Sequence, residues 1–250
     1  MHRSFRCATS DRRLRRSVNN VILSGDYPIF GESLAKFGYH VIFSEKLPQL
    51  IDYEQSHADM QCLILDDTAF VLKECTRLAE YLKDSYHVVL TDDAIGGKYP
   101  ANVRLNAAVL GKTVIANLKA LDRKVIDYCR EHQYRMLHVN QGYAKCSCAI
   151  VSDNAIITAD SGIYYSLKET NIDVLKIQQG RVRLDGAEYG FIGGASGLDT
   201  RDGKRTLYFA GNIATHPDYP MIRTFCEAHD TETVSLTDTE LIDIGGMLFC

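Results

Sequence analysis

The sequence predicts a single α/β domain, a five-fold pseudosymmetric α/β propeller closed by the N-terminal strand. Three observations predict it. A helix-like stretch runs straight into an apolar strand five times along the chain. After each such strand comes a polar or glycine-rich lead-in and a second apolar run. The last of these runs stops without a partner, while a lone apolar strand, NVILSG, waits near the N-terminus. Fixed-period self-similarity of about 40–60 residues is the signature of repeat arrays and propellers.

The helix-like stretches are ESLAKF, CTRLAEYLKD, LDRKVIDYCREH, IYYSLKET and MIRTFCEAH, each with apolar residues at helical spacing. The strands that follow begin at GYHVIFS, SYHVVLT, QYRMLHV, NIDVLKI and DTETVSL, where Val, Ile and Leu favour extended chain. The lead-ins and inner strands are HADMQCLIL, NVRLNAAVL, QGYAKCSCAIV, YGFIGGASGL and IDIGGMLFC. Four of them continue through a turn, at Asp66-Asp67, Gly111-Lys112, Asp153-Asn154 and Asp202-Gly203, into a returning strand. Pairing the fifth with NVILSG closes the ring and removes the free sheet edges. Small polar residues after the returning strands, Asp26, Asn117, Asp160 and Asn212, are expected to cap the helices.

Five units fill residues 18–250 and leave no linker for a second domain. Residues 1–17 carry six arginines and no signal-peptide core, and read as a basic, disordered tail. A net charge of −4 argues against a nucleic-acid partner. No apolar run reaches the roughly 18 residues that cross a bilayer. Without a secretory signal, the eight cysteines read as reduced thiols in a cytoplasmic protein. Their spacing is that of packing residues, and Cys146 and Cys148 are expected to share one strand face. No metal and no cofactor is expected.

In a closed ring the lead-ins converge on the axis and line one cavity. Strand alternation places His57 with Asp59, and Asn102 with Arg104 and Asn106, on the axial side. His57 beside a carboxylate suits a general acid/base. Asp59 suits a cationic ligand, and Arg104 suits a substrate anion or a salt bridge. The glycine run from Gly190 to Gly197 precedes a hairpin rather than a helix, which favours close backbone packing over phosphate binding. Asp243-Ile-Gly245-Gly246 precedes Cys250, and glycines there permit close approach of backbone to a ligand.

Five strand–hairpin–helix units, GGxxxC in the last and HxD in another resemble the penteins, the superfamily of guanidino-group-modifying enzymes. QGYAKCSCAIVSDNAIITADSGI, YGFIGGASGL, LYFAGN and DIGG look like an uncharacterised bacterial branch of it. The resemblance implies an amidinohydrolase or deiminase acting on a small guanidino compound. In that reading Cys250 is the nucleophile, His57 the acid/base, and Asp59 and Asp243 grip the guanidinium, with Asn102 and Arg104 in the second acidic motif's place. Cys250 departs from the pattern by being the final residue here, where its own carboxylate would raise its pKa. The same resemblance implies a second function, a non-catalytic binding protein like the ribosome anti-association factor. Oligomeric state has no signature in the chain.

Overall fold

The computed structural model describes residues 19–250, so the expected tail over 1–17 lies outside the described residues. Five three-stranded sheets are arranged as the repeat predicts. In the first, β1 (Asn20–Leu23) runs parallel to β2 (His40–Phe43) after helix α1 (Pro28–Lys36), and antiparallel to β15 (Leu248–Phe249). The chain ends therefore close one sheet, with Val21 opposite Phe249 and Ile22 opposite Leu248.

The other four sheets each repeat hairpin, helix and parallel return. A one-turn helix, α2 (Ala58–Gln61), leads into β3 (Cys62–Leu65) and β4 (Thr68–Val71); α3 (Thr76–Leu82) then leads to β5 (His87–Leu90). The third sheet is β6 (Ala108–Leu110), β7 (Thr113–Ala116), α4 (Arg123–Glu131) and β8 (Arg135–His138). In the fourth, α5 (Ala144–Ser147) precedes β9 (Cys148–Ser152) and β10 (Ala155–Thr158), followed by α6 (Ser161–Leu167) and β11 (Asp173–Lys176). The fifth is β12 (Ser196–Arg201), β13 (Lys204–Phe209), α7 (Tyr219–Ala228) and β14 (Thr231–Ser235).

The hairpin turns fall where the turn residues stand. Asp66, Gly111, Asp202 and Gly203 all take positive φ, the twist that tight hairpins need. Capping is more varied than expected. Asp160 accepts from the Ile163 amide and Asn212 from the Ala214 amide. Ahead of α4 the cap is Asp122, while Asn117 organises the preceding turn through the Lys119 amide. Asp26 accepts a hydrogen bond from Ser56 instead of capping α1.

Each helix packs one apolar face on its sheet, as α3 does through Leu78, Ala79 and Leu82. The inner strands turn toward the axis, where β12 lies against β9 and β15, and β9 against β6. Leu63, Val109, Ile150, Leu198 and Leu248, one from each inner strand, line a single cavity of about 180 Å³. This is the strand side of the axis. The lead-ins form its opposite side.

Candidate functional site

The lead-in side holds a cavity of about 280 Å³ that includes Glu54, His57, Tyr143, Cys146, Phe191 and Asp243 in its walls. His57 and Asp59 do not reach it along a strand. His57 is the residue before the one-turn helix α2, and Asp59 lies within it. The backbone is pinned from the neighbouring unit, with the Asp59 amide donating to the Gly245 carbonyl at 3.0 Å. Gly245 has φ +74° and lies so close to His57 that any side chain there would overlap the imidazole.

Cys146 completes the cluster. Its thiol donates to Asp59 Oδ2 at 3.0 Å, and Asn106 Nδ2 donates to the sulfur at 3.1 Å. Asn106 Oδ1 in turn accepts from the Lys145 amide at 2.8 Å and the Cys146 amide at 3.3 Å, which fixes the start of α5. One ring nitrogen of His57, one oxygen of Asp59 and the Cys146 sulfur lie within 4.8 Å of one another. All three residues are buried, with 4%, 1% and 2% of their surface exposed. Two atoms in this cluster, His57 Nε2 and Asp59 Oδ1, have no hydrogen-bond partner among the described residues. Orphan polar atoms at such depth are rare and point to a ligand or a chemical role.

Burial pushes the Asp59 carboxyl up to about 6, against the opposing pull of Lys145 and His57. The Cys146 thiol is raised well above its ordinary value, first by burial and then by the carboxylates of Asp59 and Asp243. It therefore rests protonated beside a carboxylate that is largely ionised at neutral pH.

Asp243 is held by two amides, with Gly245 donating to Oδ1 at 2.9 Å and Phe191 to Oδ2 at 2.8 Å. The glycine run makes room for this. A side chain at Gly194 would collide with the Asp243 carboxylate, and one at Gly193 with the carbonyls of Lys145, Cys146 and Cys148. Close packing at the axis is thus the work of these glycines. Lys145 Nζ donates to the Gly193 carbonyl at 3.0 Å, and with Asp59 it faces the strand-side cavity. The wall of the lead-in cavity is acidic and aromatic: Glu54, Asp243 and Glu188 stand with Tyr53, Tyr143, Tyr189 and Phe191. Tyr143 stacks on Phe191 and Tyr189 meets it edge-on, both with centroids 6.2 Å apart. Asn102 Nδ2 donates to Glu54 at 3.1 Å and to the Tyr143 hydroxyl at 2.7 Å, bracing this wall from behind.

The structure thus brings His57, Asp59 and Asp243 together as expected, and places Asn102 behind them. Two expectations are corrected. Cys250 is not in the cluster; it pairs its backbone with Asn20 beyond β15, and its half-buried thiol packs among the residues around Cys62. The reason is distance, because the chain meets His57 and Asp59 at Gly245–Gly246 and then runs on past the strand-side cavity. Four further residues span about 13 Å of extended chain. Arg104 likewise takes the salt-bridge alternative, with its guanidinium 3.2 Å from Asp93 rather than on the cavity.

Cys146 was missed because AKCSCAIV reads as one continuous strand. The strand begins only at Cys148, so the two thiols do not share a face. A usable signal was present. Aligning ADMQ before CLIL with AKCS before CAIV matches Asp59 to Lys145 and Met60 to Cys146. That register puts Lys145 in the place of Asp59 and Cys146 in the place of Met60, whose sulfur also meets Asn106 Nδ2, at 3.4 Å.

Comparison with known proteins gives a family and a fold. The sequence model of a family of unknown function, DUF6873, matches residues 23–248. No curated protein matches in sequence. Among solved structures, dimethylarginine dimethylaminohydrolase (DDAH) from Pseudomonas aeruginosa, a cysteine-to-serine mutant complexed with citrulline, is 11% identical. It aligns over 93% of this chain and 99% of its own, with a TM-score of 0.58. A C. jejuni agmatine deiminase with substrate bound is 10% identical over 93% of each chain, with a TM-score of 0.50. A putative peptidyl-arginine deiminase is 8% identical over 88% of this chain and 90% of its own, with a TM-score of 0.51. The shared architecture is the pentein fold. Among the described residues no helix is long and apolar enough to cross a membrane.

Proposed function

Since the chain belongs to the DUF6873 family and has the pentein fold, we propose that it is a guanidine-directed thiol hydrolase whose nucleophile is Cys146. The observation that carries this reading is the convergence of His57, Asp59 and Cys146 within 4.8 Å, with His57 and Cys146 in the wall of the acidic, aromatic cavity and Asp59 behind them. A guanidinium is planar and cationic, so aromatic faces and carboxylates are the groups that recognise it. Glu54 and Asp243 are placed to accept its N–H groups. Asp59, whose Oδ2 already holds the thiol, serves the nucleophile instead.

The chemistry follows from these placements. A cation entering the cavity stabilises negative charge on the Cys146 sulfur and so lowers the thiol pKa. The thiol proton passes to Asp59 along the existing hydrogen bond, and the thiolate attacks the guanidinium carbon. His57 gives a proton to the departing amine or ammonia and then takes one from the incoming water. Water displaces the sulfur, the C–S bond breaks, and the thiol returns with its proton. Tyr53, Tyr189 and Phe191 line the walls, and a ligand seated among them would displace water, which strengthens each of these interactions.

The walls also narrow the ligand. Glu54, Glu188 and Asp243 stand there with no Lys or Arg among the described residues of the wall, so among them a ligand bearing a carboxylate finds no counter-ion. A guanidino compound with a neutral or cationic far end fits better than an α-amino acid.

The test is intact-mass analysis after treatment with a haloacetamidine, a guanidine-like alkylating agent. One rapid adduct on Cys146, suppressed by agmatine more than by arginine, is the expected result. A rapid adduct on Cys250 would return the nucleophile to the chain end. Slow labelling spread over several thiols would overturn the enzyme reading in favour of a binding protein.

A further inference from the structure

The same cluster has the features of a metal site. We propose that His57, Asp59 and Cys146 form a three-donor site for a thiophilic divalent cation of the zinc type, with the fourth position open to the lead-in cavity. The proposal does not depend on the hydrolytic reading, and its test needs no turnover.

Three observations carry it. The donor set is one imidazole nitrogen, one carboxylate oxygen and one sulfur, with ligand atoms within 4.8 Å of one another. Zinc takes these three donor types at roughly 2.0–2.3 Å, so tetrahedral ligand atoms around it lie about 3–4 Å apart. Second, two atoms of the set lack partners. His57 Nε2 and Asp59 Oδ1 are buried and unpaired, and a bound cation would satisfy donors of this kind where no protein group does. Third, the supporting shell is built. Asn106 holds the sulfur side through its amide nitrogen and fixes α5 through its oxygen. The Gly245 carbonyl anchors the Asp59 amide, and the Gly245 backbone fixes His57 by close contact. Outer contacts that orient ligands are what distinguish a metal site from a chance cluster.

The charges around the cluster permit a divalent ion. Asp243 and Glu54 add negative charge from the cavity side. Lys145, bonded to the Gly193 carbonyl at 3.0 Å, opposes it as the foremost cation acting on Asp59. Binding exchanges one bond for another: the Cys146 S–H proton leaves to solvent as the sulfur–metal bond forms. No redox partner is required. An open fourth position toward the cavity would carry water or a ligand atom. Metal at this site and attack by Cys146 on a guanidinium exclude each other, because both use the sulfur lone pair.

The experiment is titration of the chelator-treated full chain with Co(II), read by absorption. One equivalent is expected to give a thiolate-to-cobalt charge-transfer band and the intense visible bands of tetrahedral cobalt, both displaced by Zn(II). Cys146→Ser is expected to abolish the charge-transfer band, and Cys250→Ser to leave it unchanged. His57→Gln is expected to weaken binding by more than the tenfold to hundredfold, roughly, that loss of an outer partner costs. Alkylation mapping by mass spectrometry gives a second readout, since bound metal should protect Cys146 selectively. Absence of a band in the wild-type chain overturns the proposal. So does a band that survives Cys146→Ser, because it would place the metal on other thiols.

Discussion

Cys146 and Cys250 occupy different layers of the same kind of repeat, and the contrast between them is what the proposed reaction rests on. Both are protonated at neutral pH. Burial pushes Cys250 up to about 12, and burial with two nearby carboxylates raises Cys146. What differs is the company. Cys146 donates to Asp59, accepts from Asn106 and lies within reach of His57. The contacts of the Cys250 side chain are apolar packing beside the second and third sheets. A thiol becomes a nucleophile by proximity to a base and to groups that stabilise its anion. In a ring of repeats, position along the radius decides which thiol has both.

The largest expected effect tests that contrast directly. Cys146→Ser should lower the rate of haloacetamidine labelling by on the order of a thousandfold, since the reacting atom is gone. Cys250→Ser should change it by less than about twofold, a control set by the additivity of distant sites. His57→Gln falls between them, at about a hundredfold or more, the usual worth of a positioned acid/base. Equal losses in the two cysteine variants would remove the distinction between axial and outer thiols.

Asp59 sharpens the same comparison through stability. Its carboxyl is raised from 3.8 to about 6 by burial, so the folded state holds this proton more tightly than the unfolded chain does. The sign follows: its contribution to stability is complete below about pH 4 and is lost as pH rises through 6. At 1.36 kcal/mol per pKa unit the loss approaches about 3 kcal/mol. Asp59→Asn should therefore stabilise the fold near pH 7.5 by about 1–3 kcal/mol while weakening thiol labelling. Near pH 4 the two proteins should be alike. Urea denaturation at both pH values decides it, and a variant less stable at pH 7.5 would refute the assignment of Asp59 as a destabilising axial charge.

The fold was legible because it is written in periodicities. Four hairpin turns, five helix-to-strand junctions and the pairing of NVILSG with the last inner strand all follow from local pattern and from the need to remove sheet edges. The site was half legible. HxD and DIGG mark the axis because polar and glycine residues interrupt apolar runs there. Cys146 carries no such mark, since a cysteine in AKCSCAIV is apolar by any pattern and the helical turn at Ala144–Ser147 is only four residues long. Glu54 and Tyr143 come from segments whose role depends on which units the ring brings opposite each other, and local sequence does not encode that. Cys250 was the attractive choice for the converse reason: two glycines before a cysteine look like a site, although it is the glycines themselves that meet His57 and Asp59.

The smallest expected effect concerns Cys250 as a structural residue. Its backbone exchanges two hydrogen bonds with Asn20, at 2.9 and 3.0 Å, and these close the ring irrespective of the side chain. The thiol itself is half-buried against the apolar cluster that includes Cys62. Replacing sulfur by a hydroxyl loses about one methylene's worth of apolar burial and leaves the oxygen able to reach solvent. Cys250→Ser should therefore cost about 0.5–1 kcal/mol, a drop of a few degrees in Tm, with labelling of Cys146 intact. A loss of several kcal/mol would mean that ring closure depends on this side chain. In that case the outer thiol is a structural clasp.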